Sequence, residues 1–541
     1  MHGDSVGRRV ARWDAVSRIR PPPRTPGVLV PHAAHGISPA IDRVIRAFAF
    51  AGAALVVVLS LVAYVGAERA EHSPSAGHPD AAGEASLEVG ATTSAATPPV
   101  TKVPPLWWLG TVPFVLLLLA IAILPLVPAT AHWWESNLHR LAVALALAFL
   151  TLLYVLLVGG PGKVLATVEH AIPEEYVPFI VLLLSLYVVS GGIAILGDFR
   201  PTPVVNASFL AIGAIIASVI GTTGASMLLI WPLLRANAAR RFRVHTIVFF
   251  IFLISNCGGL LLPTGDPPLF LGYLRGVPFL WTLSLWGEWL LCGGVLLGLY
   301  LLADTILFAR EAPEVRAWRP SGRGFRIEGA SNFLWLGLVV LTVATIQEGR
   351  PVPLLGVTAF PFLRELLMLT WVGLSLVLGP ASARRANKFS YVAIIEVACL
   401  FVGIFITMQV PLEVLKSTGS ELGLSTPAQF FWVTGILSSF LDNAPTYLVF
   451  FQTAESLKPA PGPGVLGLSG GAFIREDLLS AVSLGAVFMG AMTYIGNGPN
   501  FMVRSIAEQS GVRMPSFFGY MLYSVAVMLP LMVLVVVIFL A

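Results

Sequence analysis

The sequence predicts an all-α polytopic membrane protein built as an inverted repeat. Three observations predict it. Of 541 residues, 56% are hydrophobic and only 11% are charged, where a soluble domain carries about 25% charged residues. About ten to twelve apolar runs approach the length of a membrane helix. Two kinds of interrupted apolar segment each occur twice, in the same order. A β-barrel would show short segments of alternating hydrophobicity instead.

Residues 1–46 hold eight arginines and several prolines and read as a disordered basic N-terminus. The run AFAFAGAALVVVLSLVAYVGA (47–67) reads either as a signal peptide or as an anchor helix. Residues 68–105, rich in Ala, Ser, Thr and Pro, read as a flexible linker. The membrane domain covers 106–541, with a first repeat of about 139–309 and a second of about 331–541.

Within it, helices are expected at 106–126, 139–159, 175–196 and 281–308. The second half should hold helices at 331–346, 364–379, 390–411 and 516–541. Four segments are interrupted: 203–236 at GTTGAS, 245–278 at SNCGGLLLPTGDPP, 427–452 at LDNAPT and 480–503 at IGNGPN. Basic clusters mark cytoplasmic loops. They fall at Arg240, Arg241 and Arg243, at Arg310, Arg316, Arg319, Arg323 and Arg326, and at Arg384, Arg385 and Lys388. If 203–236 is a re-entrant hairpin, all three clusters share the cytoplasmic side with the N-terminus. A single span there would move Asp198–Arg200 outside, so the hairpin is favoured.

The interruptions pair across the two halves. SVIGTTGASMLL (218–229) aligns on SSFLDNAPTYLV (438–449), placing Thr222 on Asp442 and Thr223 on Asn443 at an offset of 220. LPTGDPPLFL (262–271) aligns on YIGNGPNFMV (494–503) at an offset of 232, with Asp266 on Gly498 and Pro267 on Pro499. One hairpin enters from each side. Inverted repeats with broken helices meeting near the bilayer midplane are the architecture of secondary transporters.

Irregular backbone at membrane depth is tolerated where it is buried in protein or lines a wet cavity. Pro263, Pro267 and Pro268 free carbonyls from the helix ladder. Freed carbonyls and half-helix ends suit small ions. The breaks add Asn256, Asp266, Asn497 and Asn500; the hairpin tips add Thr222, Thr223, Asp442, Asn443 and Thr446. Hard oxygen ligands of this kind suit Na⁺. Asp266 and Asp442 are the principal candidates for Na⁺ and proton binding, because an intramembrane carboxylate is expensive and points to function. Each could also cap the helix that follows it, and capping is compatible with ion binding. Glu396 reads equally as a third carrier or as a structural partner to a break. Asp304, near a cytoplasmic helix end beside Arg310, reads as solvated.

Other classes are poorly supported. Ser469 in GLSGG sits in a Pro/Gly loop, and no histidine follows His245, so an intramembrane serine protease lacks its base. No P-loop, HExxH or CxxCH occurs. Cys257, Cys292 and Cys399 lie in apolar runs and form neither a zinc nor a disulfide pattern. The chain is therefore not expected to be an enzyme or to carry a cofactor beyond the transported Na⁺ and H⁺. Its excess arginine suits membrane orientation and does not indicate nucleic acid.

SNCGGLLLPTGDPPLFLGYLRGVPF (255–279), GTTGASMLLIWPLL (221–234), SSFLDNAPTYLVFF (438–451) and GAMTYIGNGPNFMV (490–503) carry a resemblance. They resemble the citrate-transport and sodium/proton-antiporter proteins of the ion transporter superfamily. LDNAPT (441–446) is similar to the LDN-x-P pattern of NhaD-type antiporters and arsenite-type carriers. The resemblance implies an elevator-type fold with a scaffold and a transport part, a homodimer, and a bacterial-type inner membrane location. Carboxylate symporters of the superfamily carry Ser-Asn-Thr at both hairpin tips. Here the tips read Thr222-Thr223-Gly224 and Asp442-Asn443-Ala444. An acidic tip attracts a cation and repels a polyanion, so Na⁺/H⁺ antiport is expected. Cation-coupled citrate or dicarboxylate transport is the alternative.

Overall fold

A computed structural model describes residues 106–318, 324–353, 356, 358–468 and 471–541. The expectations for 1–46, 47–67 and 68–105, and those for Arg319, Arg323 and Ser469, lie outside the described residues. The described chain is almost entirely helical. Two short antiparallel strand pairs, β1 (Ala194–Leu196) with β2 (Arg326–Glu328) and β3 (Val465–Gly467) with β4 (Phe473–Arg475), fasten loops.

The first half opens with α1 (Trp107–Ile123), followed after a bend of 102° by a short helix at Pro128–Trp134. Helix α2 (Asn137–Glu169) changes direction at Gly160, whose φ of 75° only glycine adopts readily, just ahead of Pro161. Helix α3 (Val177–Gly191) returns to the starting side. Then come the limbs of the first interrupted segment, α4 (Pro203–Ile220) and α5 (Thr222–Ala236). The second interrupted segment is α6 (Val244–Leu253), a 3₁₀ turn at Cys257–Leu261, and α7 (Pro267–Leu274); α8 (Trp286–Ala309) closes the half.

The second half repeats the plan. Helices α9 (Ser331–Thr345) and α10 (Leu363–Leu378) precede α11 (Val392–Thr407), which bends by 42° into α12 (Gln409–Thr418). The second hairpin is α13 (Pro427–Phe440) and α14 (Asn443–Ser456). The second broken helix is α15 (Glu476–Met489), a turn at Gly490–Met492, and α16 (Gly498–Gln509), and α17 (Phe517–Val535) follows.

Among the described residues, five helical runs are long and apolar enough to cross a membrane, or up to seven if each bent pair is one span. Exposed apolar side chains cover these runs, among them Leu157, Leu302 and Leu522. The chain is an integral membrane protein. By length and composition one of these runs is α4, the entering limb of the first hairpin, whereas its return limb α5 is not among them. α5 has 15 residues, about 22 Å of helix, against a hydrocarbon core of about 30 Å.

The segment 203–236 is a re-entrant hairpin. Its two ends are joined by a reciprocal amide pair between Asn206 and Asn237, at 2.8 and 2.9 Å. Arg235, at the end of the return limb, donates to the Ile195 carbonyl just before the entering limb, at 2.9 Å. The same face holds β1 and β2, and Asn387 donates to Ile193 there. The basic clusters near 240, 326 and 385 therefore share one side, the face on which the first hairpin starts and ends. α11 and α12 carry the chain to the opposite side before the second hairpin starts. There Arg475, beyond the return limb, donates to Ser425 at the entrance, at 3.3 Å.

Asp304 differs from its expected solvated state: it is fully buried. Arg240 clamps both of its oxygens, and His245, Tyr300 and Asn206 bond it at 2.7, 3.0 and 3.2 Å. The sequence neighbour Arg310 suggested a surface; the true counter-ion comes from the loop after the hairpin. Among the described residues, Gly294 and Gly298 pack against nothing, since a Cβ at either meets no atom within 4 Å. Cys257 and Cys292 are buried free thiols in contact with each other.

Candidate functional site

The two hairpin tips and the two helix breaks converge at one point. Asp266 is its hub and is 1% exposed. Thr222 donates to its Oδ1 at 2.9 Å, Asn497 to the same oxygen at 3.0 Å, and Asn443 to Oδ2 at 2.6 Å. These donors come from the first tip, the second break and the second tip. A single carboxylate thus reads all three of the other interruptions.

Local sequence explains the placement. Pro267 and Pro268 open α7, and proline at the first helical turn loses no bond because those amides have no partner in the helix. The preceding residue is held extended, with Asp266 at φ −140°, ψ 142°. Its side chain makes no capping bond and is left free to face the tips. At the first tip Gly221 turns the chain with φ 83°, and the Thr222 amide bonds the Gly265 carbonyl at 2.8 Å.

These positions revise the pairing between the halves by one residue. Asp266 and Asn497 both precede a helix whose second residue is proline, in closely similar backbone conformation (φ −140°, ψ 142° and φ −154°, ψ 140°). The counterpart of Asp266 is therefore Asn497, at an offset of 231, not Gly498. At the tips, Thr222 and Asn443 each begin the return limb and each bond Asp266. Their offset is 221. The second tip carries one extra residue, and Leu441 and Asp442 together make the turn that Gly221 makes alone. Ungapped alignment hid this insertion.

Asp442 caps its helix, accepting from the Ala444 amide at 3.1 Å. It does not hydrogen-bond Asp266. Both line one cavity of about 470 Å³, with Thr222, Thr223 and Asn497. Thr223 faces that cavity half-buried. Thr446 donates to the Asp442 carbonyl at 3.0 Å and supports the tip without reaching Asp266.

Asn256 and Asn500 stitch the two breaks together. Asn256 donates to Asn500 Oδ1 at 2.8 Å, and Asn500 donates to the Gly490 and Thr493 carbonyls at 2.9 and 3.0 Å. Asn497 also reaches the Ser255 carbonyl at 3.0 Å. Serines do the same job within each half: Ser218 bonds the Gly258 carbonyl at 2.5 Å and Ser438 the Ala486 carbonyl at 2.7 Å. Among the described residues, Asn443 Oδ1 is buried with no hydrogen-bond partner. A buried acceptor normally finds one, and this one belongs to the amide that touches Asp266.

Glu396 lies apart from the hub. Its carboxylate pairs with Arg140 of α2 at 3.0 Å, on the cavity wall. Two cations share this wall: Lys388, which the sequence assigns only to a cytoplasmic loop, and Arg504, which sequence reasoning does not single out. Lys388 lies over the Trp231 ring at 4.6 Å, and Arg504 lies over Tyr494 at 4.6 Å while pairing with Glu508. The only available signal was spacing, the i,i+4 step from Arg504 to Glu508 and a lysine in a loop.

A family model described as "Putative citrate transport" matches residues 102–540. The chain belongs to that family. Comparison with curated proteins gave no match. The family is one of transporters, and in this transporter residues of both breaks and both hairpin tips line one cavity.

Proposed function

We propose that the transporter exchanges Na⁺ for protons at Asp266, with Asp442 as the second carboxylate of the path. One observation carries this reading. Among the described residues, neither aspartate has a cationic side chain within ion-pair distance, whereas buried Asp304 has Arg240. A buried charge without a partner is strongly disfavoured. Asp266 therefore calls for a proton or a metal cation as its companion. The two compete for one site, which is the minimum chemistry of exchange.

The surroundings support this. Asp266 and the unpartnered Asn443 Oδ1 offer oxygen ligands, the kind a hard cation takes. Thr222 and Asn497 hold the carboxylate in place without adding charge. Asp442 lies on the cavity wall leading to Asp266, where it draws cations inward by simple Coulomb attraction. It also disfavours a di- or trianion at the same point.

Cation-coupled citrate or dicarboxylate transport is the second reading. Lys388 and Arg504 line the same cavity, whose volume suits a small organic ligand. In that reading the hub holds only the coupling ion, and the anion sits nearer the two bases.

Proton flux in everted vesicles tests both. Na⁺ should evoke proton movement with the wild type and none with Asp266→Asn or Asp442→Asn. Citrate uptake without any Na⁺-evoked proton flux would overturn the exchange reading and support the second.

A further inference from the structure

The described helices form two bodies that meet at the cavity. One body is the pair of hairpins and broken helices, locked together by the bonds of Asp266, Asn256 and Asn497 across the halves. The other is a frame in which α2 packs on α11, α3 on α10, and α9 on α10. Toward the basic face the cavity separates the bodies over part of their boundary, while Arg235 still reaches Ile195 and Lys388 lies over Trp231. The cavity runs between frame residues such as Leu182 and Val397 and core residues such as Met227 and Asn497, with Lys388 and Arg140 near its entrance.

On the opposite face the bodies are clasped. Glu175, just before α3 in the frame, is 6% exposed. Arg275, which ends α7 in the core, donates to its Oε1 at 2.5 Å. Gln409, at the bend between α11 and α12, donates to Oε2 at 2.9 Å. Arg275 also donates to Gln452 of the second hairpin at 3.3 Å. His170 lies 3.6 Å from Glu175. The carboxylate and guanidinium belong to different bodies and have few other charged partners.

We propose that the Glu175–Arg275 pair is a latch that holds the outer face closed while the cavity is open to the basic face. This rests on the exchange reading above together with the elevator-type division into a scaffold and a transport part, in which the transport part moves to expose the cavity first to one face and then to the other. The position carries the inference. An ion pair on the face away from the cavity, between the parts that must separate there, favours the closed arrangement by its full interaction and loses it in the open one. Such a differential contact is what sets a two-state balance. The two glutamines can present either the amide nitrogen or the carbonyl oxygen, so they fit either polarity of the pair.

Hydrogen exchange on the full chain in detergent or nanodiscs tests the latch without any substrate. Glu175→Gln and Arg275→Gln should each speed exchange of the outer segments 271–277 and 409–418 by about tenfold, within the usual range of coupling between sites. Exchange along 388–397, beside the cavity, should slow. The double exchange Glu175→Arg with Arg275→Glu should restore the wild-type pattern. Faster exchange on both faces would mean general destabilisation and would overturn the proposal, as would no change in either single variant. Because no ion is used, failure of Na⁺/H⁺ exchange in vesicles leaves this outcome separately readable.

Discussion

Asn443, the first residue of the second hairpin's return limb, donates to Asp266 of the first broken helix at 2.6 Å, although the two are 177 residues apart. Thr222, its counterpart in the first half, donates to the other carboxylate oxygen at 2.9 Å. One acid thus sits between two matching positions of an inverted repeat, and its own counterpart, Asn497, completes the ring. Replacing Asn443 by Ala removes a donor to a buried carboxylate, a loss of about 1–3 kcal/mol. Na⁺-evoked proton flux measured against Na⁺ concentration should show a roughly five- to 150-fold higher half-saturation in Asn443→Ala, one decade per ~1.4 kcal/mol. Unchanged half-saturation would remove Asn443 from the site.

Asp442 has two roles that substitution can separate. Asparagine keeps the side-chain oxygen that accepts from the Ala444 amide, and it is as good an N-cap as aspartate. Asp442→Asn should therefore unfold at the wild-type temperature and yet lose Na⁺-evoked proton flux. Asp442→Ala should lose the flux and about 1 kcal/mol of stability as well. If Asp442→Asn transports like the wild type, the residue is a cap and no more.

Much of this arrangement was legible beforehand because helix breaks leave a strong trace. Pro267, Pro268 and Pro499 mark helix starts, and an aspartate or asparagine amid apolar residues stands out. The sequence pairing still slipped by one residue at both junctions. It matched proline to proline, Pro267 with Pro499, while the structure matches Pro268 with Pro499. It had no means of seeing that Leu441 and Asp442 share the work of Gly221. What escaped entirely depends on packing between distant elements. The partner of Asp304 is Arg240, and that of Glu175 is Arg275; nothing in their spacing announces either.

The Asp304 cluster should behave as a structural element. Arg240, His245, Asn206 and Tyr300 all bond one carboxylate and so tie α4, the loop after α5, α6 and α8 together. Removing one partner of a buried pair leaves an uncompensated charge, at a cost of about 3–5 kcal/mol. Arg240→Ala should lower the unfolding temperature in detergent markedly. Replacing both partners, as in Arg240→Met with Asp304→Leu, should recover most of the loss. Equal thermal stability of Arg240→Ala and wild type would contradict this account.

Two glycines at the breaks should tolerate no side chain, and by the same mechanism in both halves. A Cβ on Gly265 would overlap the Gly259 carbonyl and stand 2.9 Å from Ser218 Cα. A Cβ on Gly496 would stand 2.6 Å from both the Gly490 and Ser438 carbonyl oxygens. In each case the obstacle is backbone, which cannot rotate aside, and relief would require the break to move away from its hairpin. Gly265 and Gly496 directly precede Asp266 and Asn497, so that movement would displace the carboxylate or its donor by a fraction of an ångström or more. Misplacements on the ångström scale cost about a hundredfold in rate. Gly265→Ala and Gly496→Ala should each reduce transport by about that factor. Gly294→Ala and Gly498→Ala, where a Cβ meets nothing within 4 Å, should transport normally. Vesicle flux normalised to the amount of folded protein distinguishes these outcomes, and near-normal flux in Gly265→Ala would show that the break and hairpin are not held as closely as described.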